Sequence, residues 1–546
     1  MSLICVPIIV HDLAPALEDA AAARDGGADL VEFRIDECFS GSGDAAEEKL
    51  IHALTAQSPL PCIITCRSSK EGGAYDGDEM ERVSLYERLV LGGDVVHPPR
   101  YLDIELDAYT ASANIRQKID LAVQHPGQVR EVSTGLILSL HDFTTRPADL
   151  SRRVLKAAAE PAAAVVKIAY RARSLLDSLE LLDLPAHLQR PTIALGMGDF
   201  GVITRLLAPK FGGFLTFAAL RQSSATAPGQ PTLSELLNTY RFRQIKPSTA
   251  VYGVVGWPVT HSASPIVHNA GFDAVGHDGV YVQLPIAAGE DGEASYASFK
   301  GTMLELIDHQ SLTFRGCSIT LPHKENALRL ARSQGWDVEH VAETVGAANT
   351  LVIERPEGCA PRIKVTNTDA PALVACLCGV IESLEGKHVA VVGAGGVARA
   401  AVAGCIYAGA RVTVYNRTLE KAEILAASLR SRIRNAAVTA RPLEALLTEP
   451  ADALVQCTSV GMNGGPDPQG IAAPLEQMKK HSPDLVVMDT VYNPIRTPLL
   501  REAERLGLRH LDGVGMFVAQ AAMQFDLWTG KRAPLALFER IVRERM

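Results

Sequence analysis

Two lysines carry the strongest chemical signal in this chain. Lys167 stands in Ala163-Ala164-Val165-Val166-Lys167-Ile168-Ala169, an apolar run of the kind that forms a parallel strand buried on both faces. An ammonium there is costly unless it is paired or its pKa is depressed, and a depressed pKa makes a nucleophilic, imine-forming amine. Taken alone, a lysine snorkelling from a strand end is the plainer reading. His141 shifts the balance. It ends the preceding run, Leu138-Ser139-Leu140-His141, and a histidine beside an imine is suited to abstract the proton α to the former carbonyl. Arg34, Arg67 and Arg205 could converge on the same mouth. Three such cations exceed what a neutral substrate needs and suit a carboxylate or polyol acid.

The second lysine, Lys324, follows the strand-like run ending Ser318-Ile319-Thr320-Leu321-Pro322-His323. Alone it would read as a solvated residue at a helix start. Paired with Asp369 of Asn367-Thr368-Asp369, it makes a proton donor matched to a carbonyl under reduction. Ser262 and Ser264 open a helix and could hold a carboxylate, although an ordinary serine N-cap explains either one singly. Further on, Val391-Val392-Gly393-Ala394-Gly395-Gly396-Val397 links an apolar strand to a helix-forming run. That context marks a dinucleotide loop whose glycines admit a pyrophosphate. The next strand ends in Asn416-Arg417-Thr418, with an arginine where an NAD enzyme has its ribose-binding acid, so the expected cofactor is NADP.

The elements that must position these residues follow from the alternation of the chain. Eight apolar runs fall within about 240 residues: Leu3–Val10, Asp29–Ile35, Cys62–Cys66, Tyr101–Leu106, Gly135–Leu140, Ala163–Ala169, Thr192–Leu195 and Phe214–Ala219. Amphipathic stretches separate them, among them Ala14–Arg24, Arg82–Leu91, Ala113–His125, Leu150–Glu160 and Leu175–Leu182. This is the arithmetic of a (β/α)8 barrel. Arg34, Asp36, Arg67, Glu105, His141, Lys167 and Met197 fall at or near the strand ends where barrels place their chemistry. Lys246–Thr249 reads as a linker, after which a second alternation begins. The fold class is therefore α/β: a barrel over 1–245, a small α/β domain over 250–365 completed by 515–546, and a Rossmann domain over 366–514.

Bulk properties exclude several classes. A net charge of −9 leaves no electrostatic footprint for nucleic acid or an anionic membrane. No run of about 20 residues is apolar enough to span a bilayer. The ten cysteines include Cys62 with Cys66 and Cys376 with Cys378, but neither pair has a second pair at zinc spacing. Reduced thiols in a cytosol-like compartment are expected, with no metal. The first residues resemble neither a secretory signal nor a transit peptide, though a plastid address would be hidden if such a peptide had been removed. No pattern specifies an oligomeric state.

Residues 1–240 resemble type I 3-dehydroquinate dehydratase. The likeness rests on Glu32-Phe33-Arg34-Ile35-Asp36, Thr65-Cys66-Arg67 with Glu71-Gly72-Gly73, Ser139-Leu140-His141-Asp142, Val166-Lys167, Met197 with Arg205, and Ala227-Pro228-Gly229-Gln230. It implies an imine between Lys167 and the substrate ketone. His141 would remove the C2 proton and return it to the departing hydroxyl, with Glu71 orienting the ring. Glu32, Arg34 and Arg67 would bind the ring hydroxyls, Arg205 and Gln230 the carboxylate, with Met197 and Phe217 also in the substrate-binding set. Thr226 stands where the family usually has serine.

Residues 250–546 resemble shikimate dehydrogenase through Ser262-Ala263-Ser264, Thr320-Leu321-Pro322-His323-Lys324, Ala348-Asn349-Thr350, Asn367-Thr368-Asp369, the glycine loop, Asn416-Arg417-Thr418, Thr458-Ser459-Val460-Gly461, Val491-Tyr492-Asn493-Pro494, and Gly515-Met516 with Gln520 and Gln524. The resemblance implies that Ser262 and Ser264 bind the substrate carboxylate, and Thr320, Asn349, Tyr492, Gln520 and Gln524 the ring. Lys324 and Asp369 would be the catalytic pair. Gly393 to Val397, Asn416, Arg417, Thr418, Thr458, Gly515 and Met516 would hold NADP. Gln456 and Ser318 replace asparagines common in the family, and Ala370 and Ala372 replace glycines. The expected function is bifunctional: 3-dehydroquinate to 3-dehydroshikimate, then to shikimate with NADPH. A second half acting mainly on quinate, or a catalytically dead metabolite sensor, are the alternatives.

Overall fold

Strands covered by helices read as continuous apolar runs, and the eight runs of the front half form eight parallel strands. The structure, a computed structural model, describes residues 2–42, 44–91, 97–124 and 133–545. The strands are β1 (Leu3–Ile9), β2 (Leu30–Arg34), β3 (Cys62–Thr65), β4 (Tyr101–Glu105), β5 (Gly135–Asp142), β6 (Ala163–Arg171), β7 (Thr192–Met197) and β8 (Leu215–Phe217). They pair in the order β7-β6-β5-β4-β3-β2-β1-β8. The Phe214 amide donates to the Thr192 carbonyl at 2.8 Å, tying the approach to β8 against β7. Helices such as Leu13–Asp25, Glu79–Leu91 and Leu175–His187 alternate with the strands in the (β/α)8 manner. The expected helix end at His125 lies outside the described residues; the described part is Ala113–Gln124.

Side chains alternate along a strand, so every second residue points into the barrel. Leu30, Ile63, Tyr101, Ile137, Val165 and Ile193 form its apolar floor. Continuing at the same parity, β2 sends in Glu32 and Arg34, β4 Asp103 and Glu105, β5 Ser139 and His141, and β6 Lys167. The run Ala163–Ala169 suggested Lys167 near a strand end, but β6 continues to Arg171. Lys167 is registered with Ser139, and His141 with Ala169, so the lysine sits one inward step deeper than the histidine.

The chain divides into two compact units, the first Met1–Thr249 and the second holding nearly all the rest. The second unit contains two six-stranded sheets. One joins β9 (Ala250–Gly256), β10 (Gly279–Pro285), β11 (Phe314–Ile319), β12 (Asp337–Val338), β13 (Thr350–Glu354) and β14 (Arg362–Thr366) in the order β10-β9-β11-β13-β14-β12. Helix Gly513–Thr529 packs on it, with Val514, Phe517, Ala521, Phe525 and Trp528 in one core with Tyr252, Val254 and Phe272. β14 is absent from the sequence reading because Arg362 and Lys364 interrupt its apolar face; Lys364 pairs with Glu339 at 2.8 Å.

The other sheet is wholly parallel: β15 (His388–Val392), β16 (Arg411–Asn416), β17 (Val438–Pro442), β18 (Ala453–Gln456), β19 (Val486–Asp489) and β20 (Arg509–Leu511), in the order β17-β16-β15-β18-β19-β20. The order reverses between β15 and β18, the switch point where doubly wound sheets bind ligands. The glycine loop leaves β15 there.

One close approach in the barrel sets a stability prediction. A Cβ on Gly201 would stand 2.2 Å from the Gly196 carbonyl carbon, and one on Gly196 would stand 2.5 Å from the Gly201 Cα. Gly201→Ala must push β7 from the following turn, an overpacking cost of about 1–3 kcal/mol. Calorimetry of the full chain should show a lowered barrel transition; an unshifted one contradicts this reading of the contact.

Candidate active sites

In the barrel, Lys167 Nζ donates to Asp103 Oδ2 at 2.8 Å and to Glu32 Oε1 at 3.2 Å. Asp103 is fully buried, and its other oxygen accepts from Arg67 at 2.7 Å and from Ser139 Oγ at 2.6 Å. Burial alone would raise the Asp103 carboxyl, but Arg67 and Lys167 outweigh it and hold it well below the usual carboxylate range. Thr65 donates to Glu32 at 2.8 Å, and Arg67 donates to Glu105 at 2.9 Å. The opposite wall is apolar: Lys167 Nζ lies 4.6 Å from the centroid of the Phe217 ring. A closed charge network thus lines the cavity on one side of Lys167, and an aromatic ring lies on another.

Above Lys167, the Nδ1 of His141 lies 3.0 Å from Glu71 Oε2, which also accepts from the His141 amide at 2.9 Å. The imidazole is thereby fixed with Nε2 as its free nitrogen. Burial lowers the His141 pKa well below its ordinary value, and Arg67 and Lys167 add to the effect, so the ring is a neutral base at pH 7. Burial pushes the Glu71 carboxyl up to about 7 against the pull of Arg67.

The third arginine differs from the other two. Arg34 forks onto Asp36 at 2.8 and 2.9 Å, and Arg67 is paired as described. Arg205 is buried, has no carboxylate partner among the described residues, and leaves its Nε unbonded. Burial alone lowers its pKa to about 10. Nearby, Thr226 donates its amide to Gln230 Oε1 at 2.9 Å, and Gln230 Nε2 has no partner among the described residues. Both groups line the cavity that holds Lys167 and His141. An unanswered guanidinium beside an unfilled amide donor is a receptor for one carboxylate. Met197 also lines this cavity.

In the second unit, Lys324 Nζ donates to Asp369 Oδ2 at 2.6 Å, and both side chains are nearly buried. Each opens a helix, Lys324–Gln334 and Asp369–Ile381, so the pair spans two elements. Asn349 and Gln524 are buried, and their amides are taken by the protein. The Asn349 oxygen accepts from Thr350 Oγ1 at 2.7 Å and the Thr368 amide at 2.8 Å. Gln524 accepts from Ser318 Oγ at 2.7 Å and donates to Thr350 Oγ1 at 2.9 Å. Ser262 Oγ accepts from the Ser264 amide at 3.2 Å at the start of helix Ser264–Ala274, and Thr320 follows β11. The Tyr492 and Phe517 ring centroids lie 4.8 Å apart with the planes tilted by 36°, and the Phe517 carbonyl accepts from Gln520 Nε2 at 3.0 Å.

The glycine loop has the shape a dinucleotide needs. Gly393 takes φ 114°, which a residue with a Cβ rarely adopts, and a Cβ there would stand 3.0 Å from Thr458. Helix Gly396–Tyr407 opens directly on the loop, with Ala394, Gly395 and Val397 flanking its first residue. A Cβ on Gly396 would lie 3.3 Å from Lys324 Cδ, so the loop and the lysine are neighbours. Asn416 Nδ2 donates to the Thr418 carbonyl at 2.8 Å, shaping a turn from which Arg417 is exposed. Gly515 and Met516 stand in the first turn of helix Gly513–Thr529. These residues fit a pyrophosphate with a phosphorylated ribose. Among the described residues no cluster of side chains suits a metal.

Sequence reasoning missed Asp103, Ser139 and Arg82. Asp103 was readable: Tyr101-Leu102-Asp103-Ile104-Glu105 puts two carboxylates on one face of a buried strand. Arg82, fully buried on helix Glu79–Leu91, pairs with Glu105 at 2.8 Å and donates to the Cys66 carbonyl at 2.6 Å. It reads from sequence as one more helix-surface cation, and only the packing shows otherwise.

Residues 4–247 match the type I 3-dehydroquinase family. Residues 254–351 match the shikimate dehydrogenase substrate-binding domain, 378–462 the shikimate/quinate 5-dehydrogenase family, and 513–543 the shikimate 5′-dehydrogenase C-terminal domain. A bifunctional 3-dehydroquinate dehydratase/shikimate dehydrogenase of Arabidopsis thaliana, described as chloroplastic, is 34% identical over 559 residues, covering 99% of this chain and 84% of the relative. The NADP(+) shikimate dehydrogenase of Methanocella arvoryzae is 36% identical over 300 residues, 54% of this chain and 99% of the relative. That of Syntrophobacter fumaroxidans is 38% identical over 293 residues, 53% of this chain and 91% of the relative. With the barrel, the switch-point loop and both lysines in place, the chain belongs to the family of bifunctional 3-dehydroquinate dehydratase/shikimate dehydrogenases.

Proposed function

We propose that Lys167 and Lys324 are the reactive groups of two successive steps, dehydration of 3-dehydroquinate and reduction of the product to shikimate. The observation that carries the first assignment is the convergence of Lys167, His141 and the unpaired Arg205 on one cavity. Arg205 and Gln230 take the substrate carboxylate; Glu32, Arg34 and Arg67 face the ring hydroxyls, with Met197 and Phe217 against the ring. Lys167 passes one proton to the Glu32 carboxylate it already faces, and the resulting amine adds to the C3 ketone; the carbinolamine then loses water to form an imine. His141 Nε2 removes the C2 proton, the electrons move to expel the C1 hydroxyl, and His141 returns the proton to the departing oxygen as water. Hydrolysis of the imine frees 3-dehydroshikimate and Lys167.

In the second unit, Ser262 and Ser264 receive the carboxylate, with Thr320, Asn349, Tyr492, Gln520 and Gln524 around the ring. NADPH supplies the hydride. Lys324, oriented by Asp369, gives a proton to the carbonyl oxygen as the alcohol forms. Gly393 to Val397 and Thr458 cradle the pyrophosphate, Asn416, Arg417 and Thr418 meet the 2′-phosphate side, and Gly515 and Met516 close the cofactor site. The sensor alternative finds no support, since both catalytic pairs stand assembled. The named relatives of the second half are shikimate rather than quinate enzymes. All ten cysteines are free, which supports a reducing compartment.

Two measurements test the barrel chemistry. Borohydride added with 3-dehydroquinate should reduce the imine to a stable secondary amine, found by mass spectrometry on the Lys167 peptide; labelling elsewhere sinks the assignment. The pH profile tests the Glu71–His141 pair. In the working form an ionised Glu71 accepts the Nδ1 proton of neutral His141, leaving Nε2 as base. As pH falls through about 7, Glu71 gains a proton and donates it to Nδ1, and Nε2 then carries the hydrogen. Dehydratase kcat/KM should therefore fall on the acid side near pH 7. Glu71→Gln should shift that limb downward, to where His141 itself protonates. An unmoved limb contradicts the pairing.

A further inference from the structure

Two segments of the second unit leave the neighbouring strands β18 and β19, the first of which borders the switch point. The turn Cys457–Gly465 follows β18 and carries Thr458. The arch Thr490–Arg496 follows β19 and carries Tyr492. They are joined at both ends. At the base, the fully buried Gln456 donates its side-chain amide to the carbonyls of Thr458 (3.1 Å) and Val460 (3.0 Å), and its oxygen faces the Thr458 amide. The main-chain carbonyl of the same residue accepts from the Thr490 amide at 3.0 Å and from Thr490 Oγ1 at 2.9 Å. At the tip, the Asn463 amide donates to the Asn493 carbonyl and Asn463 Nδ2 to Asn493 Oδ1, both at 2.9 Å. Asp489, fully buried, closes the foot of the arch by accepting from the Val491 amide at 3.0 Å and Thr497 Oγ1 at 2.7 Å.

Seven contacts thus tie the turn to the arch or stiffen the turn at its root. We propose that turn and arch move as one piece and couple cofactor binding to binding of the substrate ring, with Gln456 and Asn463 as positioning residues. This rests on the assignment of Thr458 to the cofactor and Tyr492 to the ring. Ordering the turn by the cofactor then sets Tyr492 beside the ring, and by reciprocity the ring tightens the cofactor by the same factor. Gln456, a departure from the family asparagine, has a role here: its longer amide reaches Thr458 and Val460 together.

The test uses the full chain with NADPH and shikimate, which are both reduced and cannot turn over together. NADPH fluorescence gives its Kd with and without saturating shikimate, and the ratio is the coupling. In the unaltered protein shikimate should tighten NADPH. Asn463→Ala removes an exposed side chain, so it should keep its Tm and its Kd for NADPH alone. Its coupling ratio should move towards one by about three- to tenfold, the range a single net hydrogen bond supports. Asn493→Ala should do the same. A ratio of one in the unaltered protein, or an unchanged ratio in both variants, overturns the inference. Tyr492→Phe separates the two layers of the argument. If it leaves the shikimate KM unchanged, the ring assignment fails and the inference with it. If it raises that KM while the ratio holds in Asn463→Ala, only the coupling fails.

Discussion

A cation inside a barrel must have its charge answered, and the way Lys167 is answered organises the whole front half. Asp103 and Glu32 face its ammonium, Arg67 and Ser139 take the second oxygen of Asp103, and Glu105 takes Arg67. Arg82 then reaches Glu105 from the surrounding helix layer. Each member holds the next, so the network keeps its geometry without help from solvent. Removing one partner of such a buried pair costs about 3–5 kcal/mol, since a charge is left stranded. The exception gives the network its use. Arg205 alone among these buried cations lacks a carboxylate among the described residues, so its charge is left unanswered.

The back half solves a different problem, bringing a hydride donor and a proton donor to one carbonyl. The reversal of strand order opens a crevice between β15 and β18, and the glycine loop fills its floor. The absence of a side chain at Gly396 lets that loop lie against Lys324, which belongs to the substrate-binding sheet's side of the unit. The Lys324–Asp369 pair and the glycine loop are therefore neighbours.

Much of this was legible in the sequence because the chemistry sits on elements with strong periodic signals. Eight apolar runs predict eight strands, and lysine is so unfavourable within one of them that it marks itself. The misses share a cause. Asp103 lies on a strand whose alternation was read only for its last acid, Glu105, and Arg82 on a helix whose charged face looks solvated until α-helix and barrel are packed together. The depth of Lys167 was misjudged by one inward step because apolar content cannot say where a strand stops. β14 was lost for the opposite reason, its charged residues masking an extended segment.

The central claim is that one chain carries two sites in series, the first making what the second consumes. Its most direct test is NADPH consumption, followed at the nicotinamide absorbance, with 3-dehydroquinate as the only substrate. The unaltered protein should oxidise NADPH, while Lys167→Ala and Lys324→Ala should each fail. Lys167→Ala should still oxidise NADPH when given 3-dehydroshikimate, and a mixture of the two variants should recover the full sequence through the free intermediate. Oxidation of NADPH by Lys167→Ala from 3-dehydroquinate, or by Lys324→Ala from either compound, would contradict the account.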